Sequence, residues 1–430
     1  MRTFSILWVG QLASTIGSYM SVFALMIWVW QATESATTLA LVTFFSQLPR
    51  IAITPVAGVI VDRFRRKQLI LLGDVVAAVC TLAIGLLFWQ GQLQVWHLYG
   101  AVALYGCFGQ LQTLAYSTSI ALLVTKQHYA RAESMVAGVN YGAAVFSPIL
   151  AGSLYPVIGL SGIIAIDLAT FGVAIATLLS VKIPQPSQST PPKITGWRDL
   201  TFGFRYIARQ PSLVALVVAF SLFAIPSDIG KALYNPMILA RSGGDAQVLG
   251  AVTTAAGIGG ILGAVAISIS GGFQRRIHGM LLGFIATGCC KIALGLGQTP
   301  LVWMAAHFAA TLAIPLYYSS SNAIWYAKVP PALQGRVLAA DQMIGLMIAA
   351  IAPLVAGPLA DYVFEPAMSP NGWLAPIFGP LFGTQPGSGM ALIYSTTAVL
   401  IVLVGIIGYG VRPLREAEIR LPDHETVSSP

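Results

Sequence analysis

The sequence predicts an all-α polytopic membrane protein, with twelve transmembrane helices in two pseudo-symmetric six-helix bundles. Three observations carry that expectation. Apolar residues make up 56% of the 430 and charged residues only 9%, where soluble domains carry roughly 25% charged residues. Apolar stretches of about 20 residues, the length that crosses a bilayer, recur along the whole chain. The second half also repeats features of the first in the same order.

Spans 1 to 6 are expected near residues 4–31, 37–61, 68–91, 97–123, 133–156 and 161–181, and spans 7 to 12 near 212–240, 248–270, 279–297, 301–326, 337–363 and 389–411. The first stretch is too long for the apolar region of a secretory signal, and no small-residue cleavage site follows it. Residues 1–183 thus form one bundle and 211–412 the other. Between them, residues 184–210 open with Pro184, Pro186, Ser187, Ser189, Pro191 and Pro192, then turn amphipathic around Trp197 to Tyr206. This reads as a cytoplasmic linker with a short surface helix. The Gly- and Pro-rich segment from Glu365 to Ser388 is expected to be a hydrophilic interruption outside the cell, and 413–430 a disordered cytoplasmic tail.

The repeat joins Arg131, Pro148, Gly152 and Leu154 on span 5 to Arg336, Pro353, Gly357 and Leu359 on span 11, all at an offset of 205. Tyr116-Ser-Thr-Ser119 on span 4 pairs with Tyr318-Ser-Ser-Ser321 on span 10 at 202, and Phe64-Arg-Arg-Lys67 with Phe273-Gln-Arg-Arg276 at 209. Three matches in order, at matching places, argue for duplication.

The net charge of +8 raises the question of nucleic acid, and its distribution answers it. Of 23 Lys and Arg, only Arg50, Lys231, Arg241 and Lys291 fall outside or within the membrane. The others lie at the N-terminus, in alternate loops or in the tail. By the positive-inside rule both termini are cytoplasmic, and no nucleic-acid partner is implied. Cys80, Cys107, Cys289 and Cys290 sit in apolar segments with no metal-site spacing. The five histidines, at 97, 128, 278, 307 and 424, are scattered, so neither a metal, a cofactor nor an intramembrane enzyme is expected.

The loop after span 2 reads Gly58-Val-Ile-Val-Asp62-Arg63-Phe64-Arg65-Arg66-Lys67. It resembles the signature loop of the major facilitator superfamily, Gly-x-x-x-Asp-Arg-x-Gly-Arg-Arg, matching at Gly58, Asp62, Arg63, Arg66 and Lys67 and departing at Arg65. Gly58 would permit close helix packing. Asp62 would sit against a helix N-terminus or an arginine. With Arg131 and Arg336, the loop would form a cytoplasmic gate. Span 5 carries Gly138, Gly142, Ser147-Pro148 and Gly152, similar to the motif in the fifth helix of facilitator antiporters, with Ser147 in place of the usual glycine. Proline would allow a bend and the glycines tight contact. The stretch Lys328-Val-Pro-Pro331-Ala-Leu-Gln334-Gly335-Arg336-Val337 resembles exporters related to bacterial macrolide-efflux and enterobactin-exporter proteins.

The resemblance implies a monomeric transporter in the bacterial inner membrane that exports a bulky amphipathic small molecule, such as a siderophore, peptide or macrolide, in exchange for protons. A multidrug pump or an importer of the same fold is the alternative. Charges inside the bilayer cost about 2.5–3.5 kcal/mol each at a helix centre, so Asp167, Asp228, Lys231 and Arg50 are the proton-coupling candidates. Asp228 and Lys231 lie three apart and are placed to pair. Arg50 has Asp74 and Asp167 as candidate partners. The first helix of each three-helix unit lines the cavity in this family. That makes Gln11, Gln110, Gln112, Tyr116, Tyr234, Asn235, Tyr317, Tyr318 and Asn322 the substrate candidates, suited to a large, polar but weakly charged ligand.

Overall fold

A computed structural model describes residues 2–125, 129–183, 201–271 and 273–415, and among them there are helices and no strands. The helices are α1 (Arg2–Thr33), α2 (Ala36–Arg63), α3 (Arg66–Trp89), α4 (Val95–Leu123), α5 (Tyr129–Ser180), α6 (Phe202–Ala208), α7 (Pro211–Arg241) and α8 (Ala246–Ser270). After them come α9 (Arg276–Leu296), α10 (Pro300–Leu312), α11 (Ile314–Lys328), α12 (Pro331–Leu359), α13 (Glu365–Met368), α14 (Ala375–Phe382), α15 (Ser388–Gly410) and α16 (Arg412–Arg415). A π-helical turn, Ala360–Phe364, joins α12 to α13. The linker before Thr201 and the tail beyond Arg415 lie outside the described residues.

Two features of the chain's chemistry set where helices break. The α5 run is 52 residues long, about 78 Å at 1.5 Å per residue, far more than one crossing of a core about 30 Å thick. It is interrupted at Gly159, at φ 63° and ψ −171°, backbone that glycine adopts readily, and the two parts are spans 5 and 6. Span 10 breaks at Ala313 into α10 and α11. Pro315 follows two residues later, and its ring cannot continue the preceding ladder. Ten helical stretches among the described residues are long and apolar enough to cross a membrane. One of them, Gly142–Ser180, holds spans 5 and 6, and α4 is the remaining, more polar span, consistent with twelve crossings.

By contacts the chain divides into Met1–Pro192 with Ile238–Thr254, and Lys193–Met237 with Ala255–Pro430. In the first unit α1 packs along α5, α2 along α4, and α3 against both α4 and α5. The faces of α3 show how the sequence sorts them. Leu69, Ile70, Gly73, Asp74 and Ala77 are buried, while Leu72, Val75, Val79, Leu82 and Leu86 form an exposed apolar stripe at helical spacing. An apolar face left outside is what a lipid-facing helix requires.

In the second unit α9 packs on α15, α10 and α11, and the short α6 docks on α12. Its core joins Phe223, Phe284, Tyr317, Trp325, Met280 and Leu281, with Phe220 packed against them. Gly203 of α6 lies so close to the Arg336 carbonyl that an added Cβ would clash with it. The Arg336 guanidinium stands 5.5 Å over the Phe202 ring.

The segment after span 11 departs from expectation. It is not a hydrophilic loop: α14 exposes Ile377 and Leu381, and Trp373 just before it is 72% exposed, on a stretch with no charge between Glu365 and Arg412. Glu365 anchors the segment by accepting the backbone N–H of Gly387 at 3.1 Å and of Met390 at 2.8 Å, at the start of α15.

The internal repeat is also more regular than residue matching indicates. The α4 helix runs from 95 to 123 and α10–α11 from 300 to 328, an offset of 205 at both ends, as for Arg131 and Arg336. The match of Tyr116 with Tyr318 is therefore slipped by three residues: Gln112 corresponds to Tyr317 and Tyr116 to Ser321. The α3 and α9 helices begin at Arg66 and Arg276, an offset of 210 rather than 209. The two arginines make the same bond, Nη1 donating to the Thr118 carbonyl at 2.7 Å and to the Ala323 carbonyl at 3.2 Å.

Candidate functional site

The first unit contains a cavity of about 590 Å³ lined from α1 to α5, within the usual range of small-molecule sites. Gln11, Ser14, Thr15, Ser18 and Tyr19 reach it from α1, Ser46 and Arg50 from α2, and Asp74 from α3. Tyr105, Gln110, Gln112, Thr113, Tyr116 and Ser117 come from α4, and Val136, Val139 and Phe171 from α5. Most of the polar atoms are hydroxyls and amides.

Asp74 is 1% exposed. Gln112 Nε2 donates to its Oδ1 at 2.6 Å and Gln11 Nε2 to its Oδ2 at 3.3 Å, so two amides from two helices occupy both carboxyl oxygens. The crossing of α3 and α4 is close enough for this because position 73 is glycine: an added Cβ would lie 2.6 Å from Gln112 Cβ. Asp167, also 1% exposed, receives Ser18 Oγ at 3.4 Å and Thr81 Oγ1 at 3.4 Å. Arg50 is not paired with either acid. Its Nε donates to Gln110 Oε1 at 2.8 Å on the exposed wall. No local spacing marks Asp74 as a site in its own right, because its clamp comes from residues 38 and 63 positions away.

The corresponding place in the second unit has other chemistry. Phe284 stands where Asp74 does at the offset of 210, and Tyr317 stands where Gln112 does. Phe223 stacks on Phe284 at 4.0 Å, and Tyr317 packs on Phe223 at 4.7 Å. Tyr317, expected at the substrate, is 4% exposed and part of this core. Tyr318 and Asn322 are exposed and Asn235 partly so. Tyr234 is buried against the His307 ring at 4.3 Å. Asp228 lies within the electrostatic reach of Lys231 and Lys291. Lys291 Nζ donates to Ser227 Oγ at 3.0 Å.

The signature loop is only partly as expected. A Cβ at Gly58 would meet no atom within 4 Å, so this glycine makes no close helix contact. Arg63 is exposed. Lys67 donates to the Leu179 and Val181 carbonyls at 3.0 and 2.6 Å, at the end of span 6, where a cation is favoured. Arg131 is exposed, and the Asp62 carboxylate lies outside the described residues. On span 5, Gly138 is open and Gly142 meets only Phe146, at 4.0 Å. Gly152 does make a tight contact, since its added Cβ would be 2.8 Å from the Ala246 carbonyl. Gly250 faces the Pro148 carbonyl at 2.6 Å by the same measure. Thr254 Oγ1 donates to the Val145 carbonyl at 3.2 Å across that contact. Among the described residues, no group of His, Cys, Asp and Glu could hold a metal.

This arrangement resembles known transporters. Macrolide efflux protein A of Streptococcus pyogenes is 23% identical over 375 residues, covering 86% of this chain and 91% of that protein. An MFS-type transporter of Bacillus subtilis, YfiS, is 22% identical over 366 residues, covering 82% of this chain and 85% of that protein. In fold, a bacterial homologue of the human lysosomal transporter Spinster superposes with a TM-score of 0.73 at 15% identity, covering 98% of each chain. The family model described as Major Facilitator Superfamily matches residues 7–353, and the chain belongs to that superfamily of membrane transporters.

Proposed function

We propose that this transporter is a proton-coupled antiporter that exports a bulky amphipathic natural product, siderophore-, peptide- or macrolide-like, by alternating access. The observation that carries the reading is the 590 Å³ cavity of hydroxyls and amides with the Asp74 carboxylate buried in its wall. Asp74 and Asp167 meet neutral donors and no fixed cation among the described residues, so each offers a place for one proton rather than a permanent ion pair. In the second unit Asp228, near Lys231 and Lys291, is a further candidate. The tight Pro148–Gly250 contact and the efflux role named for a relative support export. A membrane potential supplies about 2.3 kcal/mol per charge per 100 mV, enough for roughly a fiftyfold gradient. The asymmetry of Lys and Arg supports cytoplasmic termini and the bacterial relatives support a bacterial inner-membrane protein; in this reading it works as a monomer.

Deleting the gene in its host and comparing metabolites inside and outside the cells tests the proposal. An amphipathic product should accumulate inside and return to the medium on complementation. Inverted vesicles from the complemented strain should take that product up when a pH gradient is imposed, and Asp167→Asn or Asp228→Asn should break the dependence. An unchanged secreted profile refutes export, and uptake indifferent to the gradient in wild type refutes proton coupling.

A further inference from the structure

We infer that the cavity of the first unit takes a ligand bearing an oxyanion, foremost a carboxylate, and that Arg50 is the group that recognises it. The inference rests on the transport reading and adds the charge of what is carried, which the sequence had placed near neutral.

Three charged side chains matter inside this unit, and they are treated differently. Asp74 is closed: both oxygens are occupied by amides, and only 1% of the residue is exposed. Asp167 is closed as well, between hydroxyls of α1 and α3. Arg50 is open. It lines the cavity, it is exposed, and its bond to Gln110 uses the single Nε–H. A guanidinium has five N–H donors, so four are left, and the partner it has is neutral. A ligand entering the cavity therefore meets one accessible charge, and that charge is positive.

An arginine inside the bilayer is costly, and neither acid compensates this one. A planar fork with its Nε already fixed by Gln110 is pre-oriented for a bidentate carboxylate. The Ser46, Thr113 and Tyr105 hydroxyls of the same wall suit the rest of a polar ligand. Each acid, when it holds the proton that the transport reading assigns to it, carries no charge to oppose an anion.

Three probes with one fluorophore and different charge test this: dansyl-glycine (anionic), dansyl amide (neutral) and dansyl-ethylenediamine (cationic). Saturable tryptophan-to-dansyl energy transfer is measured with the full chain in lipid nanodiscs, with empty nanodiscs subtracted. The wild type should bind dansyl-glycine at least tenfold more tightly than dansyl-ethylenediamine. Arg50→Gln should weaken dansyl-glycine about tenfold while leaving dansyl amide unchanged, which also shows that the variant is folded. Arg50→Lys should recover part of the loss. Saturable binding of all three probes with no preference, or an anion affinity unchanged in Arg50→Gln, overturns the assignment of charge and leaves the cavity reading intact. No saturable binding of any probe by the wild type counts against the cavity itself and overturns both.

Discussion

Replacing Gly73 with alanine tests whether the α3–α4 crossing and the Asp74 clamp are one construction. The new Cβ would lie 2.5 Å from Gln112 Oε1, 2.6 Å from its Cβ and 2.8 Å from its Cδ, where carbon contacts normally settle at about 3.5–4.0 Å. Rotating the amide away relieves the first clash but not the second, since Cβ is fixed to the backbone of α4. The helices must separate by on the order of 1 Å, and overpacking of this kind costs about 1–3 kcal/mol. The separation also strains the 2.6 Å bond from Gln112 to Asp74, a bond to a charged group worth about 1.5–3 kcal/mol. Together these give a loss of about 2.5–6 kcal/mol. At roughly 2–4 °C per kcal/mol for a body of 150–250 residues, unfolding followed by tryptophan fluorescence should start about 5–24 °C lower. Gly100→Ala on α4 is the control, because a Cβ there meets nothing within 4 Å and alanine favours the helix. If Gly73→Ala unfolds alongside Gly100→Ala, the clash and the clamp are both misjudged.

Two further changes probe other joints. Gly250→Ala should lower transport several-fold with normal membrane levels, because its Cβ would press on the Pro148 carbonyl at 2.6 Å; vesicle uptake normalised to protein reads this, and wild-type turnover would remove the contact from the mechanism. Glu365→Ala should cost about 1–2 kcal/mol, the worth of a helix N-cap, and hydrogen exchange should speed up at Gly387 and Met390, whose N–H groups it accepts. Unaltered exchange there would mean that the cap contributes nothing.

Much of the architecture was legible because it is written in single-helix chemistry. Every expected span has its helix within a few residues, and the break between spans 5 and 6 falls at Gly159, inside the predicted gap. The repeat is visible too, but small residues match easily, so residue matching pairs Tyr116 with Tyr318 where the helix ends require Ser321. The α14 segment differs from expectation because its glycines and prolines shape turns without making it polar, and Trp373, Ile377 and Leu381 make its exposed face apolar. The site was less readable. Gln11, Gln110, Gln112 and Tyr116 do line one cavity. The partnership of Arg50 with Gln110, and that of Asp74 with two glutamines, depend on which helices cross where. Tyr317 shows the limit: a polar aromatic on the right span reads as a ligand contact, yet it fills the core beside Phe284.

The single-residue turn at Gly159 leaves no slack between spans 5 and 6. A longer loop would let each helix shift alone, whereas here the two spans are joined at one Cα. Pro148 and Gly152 press on Ala246 and Gly250 along one arm, and Asp167 is carried eight residues along the other. The contact at α8 and the acid beside Ser18 and Thr81 are thus joined through one glycine with no intervening loop.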